Sequence, residues 1–181
     1  TEQLQEQVLN YELDGAFVTK VRQHPDLEYY DVFEEELVLV SDKMPLTLDE
    51  LKAQPFLLLR QGCGYRSKLD EWMKDEGFIP KKIMEFGTLD TILGSVIAGL
   101  GITIVPRSSV QYLEERGLVQ CYTLPRQYSE IKTIFIRRAD SFLTTTVEKF
   151  IETINQCKEM THYPLSIVNY KATMKEMEQF K

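Results

Sequence analysis

The apolar residues of this chain alternate between helical spacing and short continuous runs. The clearest case is the stretch 84–106, where Ile102 to Val105 form an uninterrupted apolar run, typical of a strand covered on both faces. Before that run, apolar side chains recur at helical spacing at Leu89, Ile92, Leu93, Val96, Ile97 and Leu100. Thr88 is a good N-cap for this helix, and Gly99 and Gly101 can end it. The stretch therefore predicts a strand–helix–strand unit.

The same periodicities predict the elements on both sides of this unit. Helices are expected over residues 1–10, from Thr47 to the residue before Pro55, and over 67–76, 108–116 and 144–157. Strands are expected over 13–18, 27–33, 36–40, 56–59, 82–86, 118–124 and 131–136. The glutamates at 34–36 are predicted to form a solvated turn between two of these strands, with a catalytic carboxylate pair as the alternative.

Two polar segments divide the chain into lobes. Residues 41–45 and 125–129 are polar and contain proline, as expected of crossings between two folded units. We therefore predict lobe I over 1–43 with 127–160, lobe II over 44–126, and a C-terminal extension over 161–181. A helix leading into the strand at 13–18 normally follows an earlier strand of the same sheet, which predicts that the first strand of lobe I lies upstream. A cleft between lobes is a usual place for a small-molecule site.

Composition narrows the classes of function. The net charge of −7 argues against this segment binding nucleic acid by electrostatics. Cys63, Cys121 and Cys157 are too scattered for a disulfide framework, and with His24 and His162 they show no metal-ligand spacing. The sixteen uncharged residues 91–106 fall short of the about 20 that a spanning helix needs. We expect a soluble, cytoplasmic protein with no cofactor, no metal site and no membrane partner.

The candidate chemistry lies at turns that precede helices. In open α/β sheets, ligands bind beyond the carboxyl ends of strands, near helix N-termini. The backbone amides around Gly87 and Thr88 would face such a ligand, although Thr88 can equally serve only as a cap. The glycine-containing loop from Gly62 to Arg66 stands in the same position before the next predicted helix.

A set of segments resembles the effector-binding domain of LysR-type transcriptional regulators. The most specific is the string V-x-A-G-L-G-I-x-x-x-P, which runs from Val96 to Pro106. The other matching segments, in the expected order and spacing, are Leu13 to Phe17, Glu36 to Val40, Gly62 to Arg66 and Gly117 to Val119. The resemblance covers roughly residues 1–158.

This resemblance implies an α/β fold of the type 2 periplasmic-binding-protein kind. Two lobes, each with a central mixed sheet flanked by helices, would be joined by two crossover strands. The implied role is to sense a small effector between the lobes and to change the arrangement of a homo-oligomer, a dimer or tetramer, without catalysis. DNA would be contacted only through an upstream helix-turn-helix domain that this chain lacks. The alternative is a free-standing periplasmic-type solute-binding protein.

The resemblance also implies an effector site. Its residues in this sequence would be Thr1, Thr19, Lys20, Gly62, Cys63, Gly64, Tyr65, Arg66, Gly87 and Thr88. Arg66 or Lys20 could neutralise an acid, so we expect an anionic metabolite. Arg66 could instead pair with Asp70 one helical turn later, and the sequence leaves these two roles open.

Cys63 has a separate set of interpretations. A cysteine at a helix N-terminus is often reactive, and peroxide-sensing members of the family resemble this chain in having one in the same loop. Those members pair it with a second cysteine a few residues on, whereas the helix here contains Trp72 and no cysteine. We therefore favour a small residue that lines the pocket. An enzyme with Cys63 as nucleophile would lack a base, because His24 and His162 lie in a loop and in the tail.

Overall fold

A computed structural model of the chain describes residues 1–19, 22–42 and 47–160. Three predicted features fall outside these ranges: Lys20, most of the crossing at 41–45, and the extension at 161–181. The helices are α1 (Glu2–Leu9), α2 (Leu48–Ala53), α3 (Gly64–Asp75), α4 (Leu89–Ile97), α5 (Gln111–Glu115), α6 (Arg126–Ser129) and α7 (Thr145–Met160), with a 3-10 turn at Arg107–Ser109. The strands are β1 (Ala16–Val18), β2 (Leu27–Ser41), β3 (Phe56–Leu59), β4 (Ile83–Phe86), β5 (Thr103–Pro106), β6 (Gln120–Thr123) and β7 (Glu130–Arg138).

Strand β2 belongs to both sheets of the molecule. Its first part pairs antiparallel with β7, which pairs antiparallel with β1. Its last part lies between β5 and β6, antiparallel to both. A parallel bridge between Phe56 of β3 and Ile102, the residue before β5, then connects β3 to this sheet, and β3 runs parallel to β4. The second sheet, β4-β3-β5-β2-β6, is therefore mixed, while the three described strands of the first are antiparallel.

The prediction of two strands separated by a turn at 34–36 was wrong. The glutamates continue β2 and lie opposite the start of β7, with a register irregularity only between Asp31 and Phe33. Each glutamate has a hydrogen-bond or ion-pair partner that stabilises its carboxylate within the strand. Glu34 pairs with Lys132 at 2.6 Å, Ser108 donates to Glu35 at 2.8 Å, and Arg107 pairs with Glu36 at 2.9 Å. Partners that are distant in sequence thus offset the negative charge of three adjacent glutamates, whose local sequence is typical of a turn. None of these contacts indicates a catalytic carboxylate pair.

The chain changes sheets within β2. Glu36 pairs with Glu130 of β7, and the next residue, Leu37, pairs with Pro106 of β5. On the return path, α6 leads directly into β7 at Glu130. The predicted lobe ranges, 1–43 with 127–160 and 44–126, stay a prediction. Leu37, the first residue paired in the second sheet, lies four residues before the crossing that proline and polarity predict at 41–45.

The core of the second sheet has two layers, one on each face. Leu37 and Leu39 of β2 belong to the cluster that contains Phe56 and Trp72, and Val38 and Val40 belong to the cluster on α4 and α5. This alternation follows from the two-residue period of a strand. Because both faces are covered, the strand is continuously apolar in sequence. A third cluster, which includes Val8, Val18 and Ile136, packs α1 on the first sheet.

Helix α4 is less buried than its periodicity predicts. Ile97 and Leu100 are 38% and 52% exposed. Gly94 is exposed and a Cβ there would meet no atom within 4 Å, so the helix does not need a glycine here to pack on the sheet. Periodicity identified the helix but not how far each of its faces is covered.

Leu39→Ala tests the role of β2 in the core. Leu39 is 1% exposed, so truncation leaves a cavity, and we expect a loss of about 2–5 kcal/mol in the free energy of unfolding. Urea denaturation measures this. The matched control, Leu118→Ala at a side chain that is 43% exposed, should stay within about 0.5 kcal/mol. Equal losses in the two variants would contradict the proposed core.

Candidate functional site

Two helix N-termini lie at one edge of the second sheet. Leu59 and Phe86 are neighbours at the carboxyl ends of the parallel strands β3 and β4, and the loops that follow lead into α3 and α4. Thr88 caps α4, since its hydroxyl oxygen accepts a hydrogen bond from the Thr91 amide at 3.4 Å. Cys63, at the N-cap of α3, makes no such side-chain bond. The first-turn amides of α3 therefore receive no acceptor from their own cap residue.

Two residues next to the first sheet face the loop before α3. The backbone nitrogen of Thr1, the N-cap residue of α1, donates to the carbonyl oxygen of Gly62 at 3.0 Å. Thr19, just after β1, lies so close to Gly64 that a Cβ on that glycine would be 1.8 Å from the Thr19 hydroxyl oxygen. The structure thus brings together Thr1, Thr19, Gly62 and Gly64, which come from three separate parts of the sequence.

Two cavities flank the Thr19–Gly64 contact. The Thr1 cavity, of about 260 Å³, is lined by Thr1, Glu2, Gln61, Gly62, Gly64, Arg66, Ser67 and Asp70. The Thr19 cavity, of about 380 Å³, has a lining that includes Thr19, Gly64, Ser67, Lys68, Arg126 and Lys132. Gly64 and Ser67 line both, so the first turn of α3 separates the two spaces.

Arg66 is the buried charge of the Thr1 cavity. It is only 8% exposed, and its guanidinium forms an ion pair with Glu85 of β4 and donates to the Leu59 carbonyl at 3.3 Å. Its Nε is 3.9 Å from Asp70 Oδ2 and has no hydrogen-bond partner in the described part of the chain. The sequence left open whether Arg66 serves a ligand or Asp70. Its principal partner is Glu85, an acid in an otherwise apolar strand.

Burial determines the ionisation of two neighbouring side chains. Tyr65 packs against the cluster of Phe56 and Trp72, and this burial raises its pKa to about 12, so the phenol stays protonated. Burial also raises the pKa of Asp70, and the charge of Arg66 partly opposes this effect. Tyr65 therefore contributes a neutral hydroxyl and an apolar ring. Asp70 takes up a proton at a higher pH than an ordinary aspartate does.

The remaining predicted residues lie beside the two cavities. Cys63 lines a separate void of about 10 Å³ together with Leu89, Tyr65 and Arg66. Gly87 and Thr88 are exposed at the same sheet edge and line neither the Thr1 cavity nor the Thr19 cavity. Lys20 lies outside the described residues. The sequence analysis did not include four residues that line the Thr1 cavity, Glu2, Gln61, Ser67 and Asp70, although Asp70 was identified as a possible partner of Arg66.

The described ranges, residues 1–19, 22–42 and 47–160, also contain histidine, cysteine and acidic side chains away from the two cavities. This part of the chain contains no group of three or more His, Cys, Asp or Glu side chains placed to hold a metal ion. Cys63 and Cys121 are both free thiols, and burial together with nearby Glu114 raises the pKa of Cys121 to about 12. None of the helices described has the length and apolar character needed to cross a membrane.

Known proteins share this sequence and this fold. The family model of the LysR substrate binding domain matches residues 1–158. The HTH-type transcriptional regulator SoxR of Arthrobacter sp. (strain TE1826) is 58% identical over 159 residues, which cover 88% of this chain and 55% of that protein. The HTH-type transcriptional regulator CzcR of Bacillus subtilis (strain 168) is 47% identical over 161 residues, covering 89% of this chain and 56% of CzcR.

Solved structures with low sequence identity share the fold. The effector-binding domain of QuiR in complex with shikimate superposes with a TM-score of 0.72 at 18% identity, covering 88% of this chain and 78% of that one. The regulatory domain of HypT from Salmonella typhimurium, in its apo form, gives 0.74 at 14% identity, covering 88% and 79%. These matches confirm the predicted two-lobed fold class.

The comparisons also bear on the two functional classes that the sequence left open. The curated relatives are transcriptional regulators, which favours a ligand-sensing regulatory domain over a free-standing solute-binding protein. The chain spans about half the length of these relatives. With a family model that matches most of its length and a relative at 58% identity, the chain belongs to the LysR substrate binding domain family.

Proposed function

We propose that the chain binds a small effector in the Thr1 cavity and acts as the sensor of a LysR-type transcriptional regulator. The observation that carries this proposal is the meeting of two helix N-termini, those of α1 and α3, across a cavity of about 260 Å³. Both ends present backbone amides and positive dipole ends to the same space. An acidic group of a metabolite would find hydrogen-bond donors there from both helices.

The Thr19 cavity is the weaker candidate because its cations are already engaged. Lys68 donates to the carbonyl of Gln127 at 2.8 Å, Arg126 pairs with Glu130, and Lys132 pairs with Glu34 at 2.6 Å. These contacts tie α3 to α6 and β7 to β2. The cations of the Thr19 cavity are therefore less available to an effector than the helix N-termini at the Thr1 cavity.

The contacts of α3 link the Thr1 cavity to the relative placement of the two sheets. The first turn of α3 borders the Thr1 cavity, and further along the helix Asp75 accepts a hydrogen bond from Tyr128 of α6 at 2.8 Å. Helix α6 runs directly into β7, which pairs with both β1 and β2. A ligand that prefers one placement of α3 would shift the population toward that placement of the two sheets.

The rest of the proposal follows the family. The sensor would work in the cytoplasm as part of a homo-oligomer, a dimer or tetramer, in which a helix-turn-helix domain contacts DNA. We propose no catalysis: Cys63 is part of the loop before α3, and the described histidine, His24, accepts a hydrogen bond from the Asp26 amide at 3.2 Å within its own turn. Ligand binding alone would change the assembly.

A panel of small metabolites tests the cavity by thermal shift. A ligand present at 100 times its Kd stabilises the folded chain by about 2.7 kcal/mol, which raises Tm by several degrees for a protein of this size. Gln61→Trp places a bulky ring at the lining of the Thr1 cavity and should abolish that shift. The matched control is Gln156→Trp on the exposed face of α7, which should retain it. A ligand whose shift survives in both variants binds elsewhere and contradicts the proposal.

Gly64→Ala tests the contact that separates the two cavities. The new Cβ would lie 1.8 Å from the Thr19 hydroxyl oxygen and 2.7 Å from Thr19 Cβ, so the loop and β1 must move apart. We expect about 1–3 kcal/mol of destabilisation in urea, together with weaker ligand binding.

Gly94→Ala is the control for that substitution. A Cβ at Gly94 meets nothing within 4 Å, and alanine favours a helix over glycine by about 0.8–1.0 kcal/mol, so this variant should be neutral or more stable. If Gly64→Ala behaves like Gly94→Ala, the two sheets do not approach each other as described.

A further inference from the structure

Aromatic side chains on one face of the first sheet are only partly covered. Phe17 of β1 and Phe150 of α7 are 45% and 42% exposed, although their rings contact each other and both contact Phe135 of β7. The three ring centroids lie 5.2 to 5.8 Å apart, so the rings form one continuous apolar surface. Ala16 and Val18, the neighbours of Phe17 in the strand, are buried in the cluster that packs α1 on the sheet. The exposed rings therefore belong to the opposite face, on which α7 lies.

Further apolar side chains are exposed near the N-terminal end of α7. Phe142 and Leu143, in the connection from β7 to this helix, are 90% and 43% exposed. Tyr11, which is 62% exposed, lies beside the same connection, because its hydroxyl donates to Asp140 at 2.8 Å. Single exposed apolar residues are ordinary on a protein surface, whereas a group of them beside one helix indicates a contact surface. We call this group the α7 margin; its members are Tyr11, Phe17, Phe142, Leu143 and Phe150.

The segment that follows α7 in the chain fits this margin by its sequence. Residues 161–181 begin where α7 ends, at Met160, and Pro164 favours an end of the helix before it. The next four residues, Leu-Ser-Ile-Val at 165–168, are a short apolar run typical of extended backbone. Apolar residues at three-residue spacing then predict a helix with one apolar face: Met174, Met177 and Phe180. Both patterns require an apolar surface to pack against.

The lengths along the chain allow this segment to return to the margin. Ten residues of α7 separate Phe150 from Met160, a distance of about 15 Å at 1.5 Å per residue. Five extended residues after Met160 span about 16 Å, so Leu165 can lie level with Phe150. Residues 169–181, as a helix about 20 Å long, then extend beyond the N-terminal end of α7. The segment is therefore long enough to cover the whole margin.

We propose that residues 161–181 fold back along α7 and cover the α7 margin of their own chain. Leu165 and Ile167 pack on the rings of Phe17 and Phe150, and the apolar face of the following helix packs on Phe142. The occupant is this segment rather than a partner protein because its attachment to α7 gives it a high effective concentration at the margin. No member of the margin lines the Thr1 cavity or the Thr19 cavity, so this contact does not depend on the proposed effector site.

A tryptophan reporter tests this contact in the full 181-residue chain. The natural Trp72 is only 2% exposed, so Phe150→Trp adds the accessible indole, and acrylamide quenching measures how far that indole is covered. Combined with this reporter, Ile167→Asp should lower the ratio of covered to uncovered indole by at least about tenfold, because the packed isoleucine is replaced by a charge. Ser166→Asp is the matched control: it adds the same charge on the other side of an extended segment and should leave quenching unchanged.

Three outcomes overturn the proposal. The first is quenching of the reporter that does not increase in Ile167→Asp. The second is an equal increase in Ser166→Asp and Ile167→Asp, which would reflect added charge rather than lost packing. The third is quenching that falls as the protein concentration rises and ignores Ile167→Asp, which would assign the margin to a second copy of the chain. Phe17→Trp repeats the measurement from β1 and should respond to the same two substitutions in the same way.

Discussion

The rest of the structure depends on a single strand that is shared by two sheets. From Leu27 to Glu36, β2 pairs with β7, and from Leu37 to Ser41 it lies between β5 and β6. Since one rigid run of backbone belongs to both sheets, their relative placement is determined by its hydrogen bonds and by core packing on both of its faces. The loop before α3 contacts Thr1 and Thr19 at the separation of the two sheets that β2 helps to hold.

A second constraint is the position of Arg66. A buried guanidinium must be paired, and Glu85 meets this requirement from the neighbouring strand β4. The pairing removes from the cavity the positive charge that a ligand acid would have used. The amides at the start of α3, which receive no side-chain cap from Cys63, also border this cavity.

Sequence reasoning succeeded where a signal is local. The spacing of Leu89 to Val96 identified α4, the cap at Thr88 has the predicted bond to the Thr91 amide, and the glycine string before Pro106 identified the family. It failed at Glu34 to Glu36, where three adjacent charges look like a turn. Lys132, Ser108 and Arg107 supply their partners, and all three lie more than seventy residues further along the chain.

The sequence by itself determined the elements, the α/β class and the family, because helix and strand periods and glycine positions are properties of neighbouring residues. Only the tertiary structure decided which predicted site residues share a cavity and what charge that cavity has. Thr1, Gly62 and Arg66 border one space, while Gly87 and Thr88 lie beside it. The physical reason is that ion pairs such as Arg66–Glu85 join a helix to a strand, between residues whose distance in space is not encoded in their spacing along the chain.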